Sequence, residues 1–220
     1  MPPPAPEVAA GLFGNRAGDA ARFVDMLAGE GMQRGLIGPR EVSRLWDRHV
    51  LNSAALGELI APGCRVLDVG SGAGLPGVAL ALARPDLTIA LLEPMARRTT
   101  WLQEVATVLD LPVEVHRGRA EDHTVSTDWD VVTGRAVAPL GRLAGWCMPL
   151  LRPGGQLLAV KGASAREEAS RDREEVYRAG GCGIEIVECG ASLVDPPATV
   201  VIVSRRRGDA DRPARRRKDR

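Results

Sequence analysis

Val66-Leu67-Asp68-Val69-Gly70-Ser71-Gly72-Ala73-Gly74-Leu75-Pro76-Gly77 decides how this chain folds. An apolar strand runs through one acidic residue into a loop with glycine at every second position, and a helical run follows. Gly70, Gly72 and Gly74 let the backbone turn sharply and let a ligand come close, because no Cβ blocks positive φ or contact. Strand, glycine loop and helix together predict a nucleotide-type cofactor site, with the ligand near the helix N-terminus.

Two cofactors fit the pattern at this point. Gly72-Ala73-Gly74-Leu75-Pro76-Gly77 satisfies the dinucleotide fingerprint G-x-G-x-x-G. A dinucleotide sets its pyrophosphate against bare N–H groups at the helix N-terminus. S-adenosylmethionine has no phosphate and carries an ammonium, a carboxylate and a sulfonium, so Asp68, awkward beside a pyrophosphate, suits it better.

The rest of the chain sets the architecture. Strands are predicted at Arg65 to Val69, Thr88 to Glu93, Val113 to His116, Trp129 to Thr133 and Gln156 to Val160, with helices near 76–83, 95–110 and 139–150, which is the rhythm of a doubly wound parallel sheet. After a helix from Ala165 to Ala179, the runs Ile184 to Cys189 and Thr199 to Ser204 are separated by Gly190 to Ala198, too short for a crossover helix, so they must pair antiparallel. Ahead of the sheet, Asp19 to Glu30 and Pro39 to Leu59 read as helices that form a cap. The fold class is therefore α/β. A mostly parallel, Rossmann-like sheet of seven strands closed by a C-terminal antiparallel hairpin resembles the class I SAM-dependent methyltransferase fold, which favours S-adenosylmethionine. The expected division is a helical extension over residues 1–60, a SAM-binding domain over 61–204 and a basic disordered tail over 205–220.

Composition narrows the function classes. The chain has 220 residues, 45% of them hydrophobic, enough for one sizeable core. Its start, Met1-Pro2-Pro3-Pro4-Ala5-Pro6, lacks the basic and apolar regions of a signal peptide, and no segment approaches about eighteen uncharged apolar residues, so a cytoplasmic protein without a membrane partner is expected. Cys64, Cys147, Cys182 and Cys189 form no C-x-x-C pair; they read as reduced thiols, and no metal site is expected. The net charge of +1 hides a division: residues 205–220 carry nine Arg/Lys against three Asp, while the other residues hold 20 basic and 25 acidic side chains. Such a tail either grips phosphate or merely solubilises.

Strand ends supply the candidate site residues, since the ligand of such a sheet lies across them. Glu93 ends the second strand, where a carboxylate can accept hydrogen bonds from both ribose hydroxyls. Gly118-Arg119-Ala120-Glu121-Asp122 follows the third, with Ala120 and Glu121 expected beside adenine. The fourth strand leads into Thr133-Gly134-Arg135-Ala136-Val137-Ala138-Pro139, and the Asn/Asp-Pro-Pro-aromatic motif common in methylation of exocyclic amines does not occur. Arg135 and Lys161, each after a strand, are expected to grip phosphate or the cofactor carboxylate. With His49 they are the candidates for a catalytic role. His49 and Trp46 could also meet a splayed base.

Trp46-Asp47-Arg48-His49-Val50-Leu51-Asn52-Ser53, the glycine loop with its Leu75-Pro76-Gly77 continuation, Gly134-Arg135-Ala136 and Val160-Lys161-Gly162 together resemble the RsmG (GidB) family over roughly residues 15–204. The resemblance implies methyl transfer from S-adenosylmethionine to N7 of a guanine in 16S ribosomal RNA. That RNA within a small-subunit particle is the expected partner, and a monomer is expected. The resemblance also implies cofactor contacts at Gly70, Leu75, Ala120, Glu121 and Arg135, beside Asp68, Gly72, Gly74 and Glu93 from the strand-end argument. Asn52 stands where many members carry Asp. Guanine N7 has a free lone pair, so its methylation needs positioning and no general base. Two alternatives stay open: a methyltransferase acting on a small molecule or protein, and a non-catalytic SAM-binding ribosome-assembly factor.

Overall fold

The computed structural model describes residues 2–122 and 125–208. Its sheet comprises β1 (Arg65–Val69), β2 (Thr88–Glu93), β3 (Glu114–Arg117), β4 (Trp129–Arg135), β5 (Leu151–Lys161), β6 (Gly181–Cys189) and β7 (Ala198–Arg205), in the order β3-β2-β1-β4-β5-β7-β6. The first five are parallel, and β7 runs antiparallel between β5 and β6. The central strands are near-continuous apolar runs because both faces are covered, as parallel sheets require. Val66, Ile89 and Leu91 join one buried cluster, and Leu67, Ala90 and Leu92 join the other.

The N-terminal cap contains α1 (Glu7–Phe13), α2 (Ala17–Met26) and the single turn α3 (Asn52–Ala54). It packs on the same face as α4 (Gly77–Ala83) and α5 (Ala96–Val108), while α6 (Leu140–Cys147), α7 (Ala165–Arg171) and α8 (Arg173–Arg178) cover the other. Hydrogen bonds pin the cap at several points. The Arg16 guanidinium donates to the Leu109 carbonyl at the end of α5 (2.6 Å), Arg84 to the Ile60 carbonyl (2.9 Å), and the Gly190 N–H to the Glu58 carboxylate (3.0 Å).

Three helical expectations need correction. Asp19 to Glu30 is α-helical only to Met26, where a π-helical segment (Leu27–Gly31) takes over. Pro39 to Leu59 is not one α-helix: a 3-10 segment (Pro39–Arg44) leads into a π-helical segment (Leu45–Leu51), then α3 and a second 3-10 segment (Ala55–Leu59). The buried pairs Leu45/Val50 and Trp46/Leu51 lie five residues apart, a spacing that an α-helix at 100° per residue separates by about 140°. The wider π-turn brings such pairs onto one face, and π-segments of this kind gather at functional sites. The helix expected over 165–179 breaks at Asp172, whose buried carboxylate accepts the Gly141 N–H (3.0 Å) at the start of α6.

The basic stretch begins inside the sheet. Arg205 ends β7 and donates to the Pro149 carbonyl (3.2 Å), and the Arg206 N–H bonds the Gly180 carbonyl (3.0 Å). Residues 209–220 of the expected tail lie outside the described residues. All four cysteines are free thiols, and among the described residues no helix is long and apolar enough to cross a membrane.

Candidate functional site

A cavity of about 700 Å³ opens at the carboxyl ends of β1 to β4, where the chain leaves β1 in opposite directions to build the two halves of the sheet. Gly70, Gly72, Leu75, Glu93, Ala120, Glu121 and Arg135 all line it. The loop holds Gly70 and Gly72 at positive φ (71° and 55°), and a Cβ on Gly72 would meet no side chain, only the Gly70 carbonyl oxygen at 3.6 Å.

The loop spends most of its own N–H groups. Gly70 and Ser71 donate to the Leu92 carbonyl (2.8 and 3.2 Å), Gly74 and Leu75 to the Ser71 carbonyl (2.7 and 3.2 Å), Gly72 to Glu93 Oε2 (3.0 Å) and Gly77 to Asp68 Oδ2 (3.0 Å). A pyrophosphate needs such donors free at the helix N-terminus. A carboxylate already occupies that position here, which argues against the dinucleotide and for a nucleoside cofactor without phosphate.

This arrangement corrects the role expected of Asp68. Its side chain is fully buried under the loop and does not line the cavity; one oxygen receives the Gly77 N–H and the other has no hydrogen-bond partner among the described residues. Burial pushes the carboxyl up to about 7, against the pull of the Gly77 N–H. Gly74 is also off the cavity wall. It sits at φ 102°, and a Cβ there would come 2.8 Å from Val78 Cγ2 and 3.2 Å from Phe23 Cζ, so it permits the close seating of the loop on α4 and the cap.

Glu93 is almost completely buried, and its carboxylate accepts the Gly72 and Met95 N–H groups (3.0 and 2.9 Å), with the Arg98 guanidinium 3.8 Å away. One acidic side chain thus ties the loop after β1 to the turn after β2. Met95, exposed at the rim, and Gly118, whose N–H donates to the Glu93 carbonyl (3.3 Å), also line the cavity. Sequence reading named Gly118 only as the start of the stretch after β3 and missed Met95, although its position directly after β2 was a sufficient signal.

The opposite wall comes from the cap. His49 Nε2 lies 2.7 Å from Glu41 Oε2, and His49 Nδ1 lies 3.2 Å from Arg135 Nη2. A carboxylate only accepts and a guanidinium only donates, so Nε2 carries the proton and Nδ1 is bare. Burial holds the imidazole below its ordinary pKa despite the Glu41 hydrogen bond, and Glu41 is in turn held below the usual carboxylate range by His49. The contact is a hydrogen bond to neutral histidine. Glu41 was not foreseen, because its approach to His49 depends on the 3-10 and π segments between them.

Arg135 is not a free anion grip. Its Nη1 donates to Ser53 Oγ (3.1 Å) and the His49 carbonyl (3.4 Å), and its Nη2 donates to the Arg48 carbonyl (2.8 Å) as well as to His49. The guanidinium latches the end of β4 to the cap. Lys161 is likewise engaged: Nζ donates to the Ala138 carbonyl (2.7 Å) and pairs with Glu168 Oε2 (2.5 Å) in a nearly buried contact. Trp46 is buried in the core with its indole N–H on the Pro3 carbonyl (3.2 Å), so it cannot stack on a base. Neither Lys161 nor Trp46 lines this cavity.

Comparison with known proteins agrees with the geometry. The family model described as rRNA small subunit methyltransferase G matches residues 16–194. A ribosomal RNA small subunit methyltransferase G of Mycolicibacterium gilvum is 52% identical over 203 residues, covering 91% of this chain and 89% of the relative. One from Salinispora tropica is 53% identical over 215 residues, covering 93% and 89%. Among solved structures, a SAM-dependent O-methyltransferase from Thermotoga maritima aligns with a TM-score of 0.59 at 15% identity over 84% of this chain and 71% of that one. A methyltransferase from Methanococcus maripaludis, described as putative and S-adenosyl-L-methionine-dependent, gives 0.58 at 14% over 85% and 92%. At such identities these two establish the fold alone: the class I SAM-dependent methyltransferase architecture.

Proposed function

The chain belongs to the rRNA small subunit methyltransferase G family, and we propose that it transfers a methyl group from S-adenosylmethionine to N7 of a guanine in 16S ribosomal RNA. The observation that carries this reading is the cavity at the ends of β1 to β4, lined by glycines and Glu93, with the N–H groups of Gly70, Ser71, Gly72, Gly74, Leu75 and Gly77 already committed. It fits a nucleoside cofactor that brings no phosphate.

When bound, the cofactor supplies an electrophilic methyl on its sulfonium. Glu93 holds the ribose hydroxyls with the lone pairs that Gly72 and Met95 leave free, and Ala120, Glu121 and Met95 border the adenine. Gly70, Gly72 and Leu75 border the methionine part. Arg135 and His49 hold the cap against β4 and so keep the cavity's far wall in register. Guanine N7 would take the methyl with its own lone pair as the S–CH3 bond breaks and its electrons stay on the departing thioether, so the protein would align two atoms and remove no proton, an orientation effect worth on the order of 7 kcal/mol in favourable cases. The neutral His49 is consistent with this: its one lone pair is spent on Arg135.

The target is best presented within a small-subunit particle, with the protein acting as a cytoplasmic monomer. Only seven aromatic residues are present, too few for a stacking platform on naked single strands. The decisive experiment incubates the protein with methyl-labelled S-adenosylmethionine and small-subunit particles from cells lacking this gene, then maps the labelled base by mass spectrometry. Label on N7 of one 16S guanine is expected. Label on protein or small molecules, or none, returns the assignment to a different methyltransferase or to a non-catalytic assembly factor.

A further inference from the structure

A second cavity, of about 960 Å³, adjoins the first, and Arg48, Arg135, Ala136 and Val137 line both. Its walls come from distant parts of the chain: Arg44 and Arg48 from the cap, and Glu188 on β6 with Asp195 in the following loop from the hairpin. The Lys161–Glu168 pair on its lining is internally neutralised. Arg44, Glu188 and Asp195 are exposed and make no side-chain hydrogen bond or ion pair among the described residues, while Arg48 only approaches Glu41 at 3.5 Å. Arg44 and Arg48 thus face the space from the cap, with the exposed carboxylate of Asp47 beside them, and the two uncommitted carboxylates Glu188 and Asp195 face it from the hairpin.

Resting on the methyl-transfer reading above, we propose that this second cavity receives the target nucleotide, with the hairpin carboxylates Glu188 and Asp195 selecting guanine and Arg44 and Arg48 holding its phosphates. Guanine presents N1–H and the N2 amino group as paired donors on its Watson–Crick edge, and an ionised carboxylate is acceptor-only. Adenine places an acceptor at N1 and is repelled by the same group. N7 lies on the opposite edge of the purine. A base whose donors are held by the hairpin therefore turns N7 toward the ridge Arg135-Ala136-Val137, beyond which the cofactor cavity lies. The carboxylates also stabilise the positive charge that the ring acquires on N7 methylation.

The test is a double-mutant cycle between protein and substrate. Small-subunit particles carrying guanosine or inosine at the methylated position are assayed with the parent, Asp195→Asn and Glu188→Gln. Inosine keeps N7 and N1–H but lacks the N2 amino group. With the parent, inosine is expected to lower kcat/KM about tenfold or more, within the range of a good bidentate base contact. At least one of the two variants should lower it comparably on guanosine while showing little further loss on inosine. S-adenosylmethionine affinity and melting temperature stay unchanged in the variants. Losses that simply multiply for both variants, or variants as active as the parent on both substrates, overturn the proposal. Arg44→Gln should reduce the slope of log affinity for particles against log salt by about one, as removal of one phosphate contact does; an unchanged slope removes Arg44 from the site. If the parent methylates no 16S guanine at all, the methyl-transfer reading has failed instead.

Discussion

The cofactor cavity has two walls that are held by different forces. The sheet wall is backbone: glycine-dependent turns, N–H groups on carbonyls close by in the fold, and two buried carboxylates, Asp68 and Glu93, that receive what the loop has left over. The cap wall is side chain: Glu41, His49 and Arg135 in a row, joined by contacts of 2.7 and 3.2 Å. Cβ atoms crowd the first wall out of shape, and its one strongly perturbed acid, Asp68, lies buried beneath the loop. On the second wall a proton on His49 would disturb the contact with Arg135, which lines both cavities.

The largest expected effect tests the buried carboxylate of the sheet wall. Asp68 is raised from 3.8 to about 7, so the folded chain keeps a proton that the unfolded chain gives up. Its contribution must fall as pH rises from about 4 to 7 and stay level above that, by about 4 kcal/mol for a shift of roughly three units. Unfolding free energies of the parent and Asp68→Asn, compared at pH 4, 6 and 8, should diverge with that sign. A constant difference across the series would mean that Asp68 is not protonated in the folded state.

Next comes crowding. A Cβ on Gly77 would collide with Leu91 Cδ2 and lie 2.8 Å from Asp68 Oδ2, so Gly77→Ala should cost up to about 3 kcal/mol through overpacking. Thermal melting should fall by about 6–12 °C on that figure. An unshifted melt would show the sheet wall to be softer than its hydrogen bonds imply.

A smaller effect is expected from Glu93→Ala, which orphans the Gly72 and Met95 N–H groups. Loss of about 2 kcal/mol should appear as roughly thirtyfold weaker S-adenosylmethionine binding by calorimetry, with Gln recovering part of it. Equal affinity in both variants would detach Glu93 from the ribose.

The cap wall should respond most mildly and mainly to pH. Protonated His49 would turn a donor toward Arg135, and its pKa lies below the ordinary 6.5, so kcat/KM should hold near neutrality and fall on acidification below that value. Glu41→Gln removes the charge that favours imidazolium and should move this acid limb to lower pH, with activity within about fivefold of the parent, about 1 kcal/mol. An acid limb that does not move would leave the Glu41 contact a packing detail.

How much of this was legible beforehand follows the same division. Arg65–Val69 and Thr88–Glu93 match the expected strands residue for residue, since a buried parallel strand is a near-continuous apolar run. The antiparallel β6–β7 pair followed from the length of its connection. The cap was misread where the apolar spacing changed from the α-helical period to five residues, because a 3.6-residue template cannot register a π-turn. Asp68 and Arg135 were placed at the correct strand positions but given the wrong partners: Asp68 meets a backbone N–H nine residues on, and Arg135 meets Arg48, His49 and Ser53 more than 80 residues earlier. Lys161 was read as a free cation for the same reason, its neutralising Glu168 lying on a separate element.

By itself, then, the amino-acid sequence determined what depends on neighbours along the chain: strand periodicity, the glycine φ values of the loop, the acidic residue at the end of β2 and the family they indicate. Only the tertiary structure decided which carboxylate faces a ligand and which is buried under a loop, that His49 is neutral with a bare Nδ1, and that two cavities share a wall at Arg135. Those properties arise from side chains far apart in the chain meeting at low dielectric, where the identity of the partner sets the charge state, and no local pattern encodes the partner.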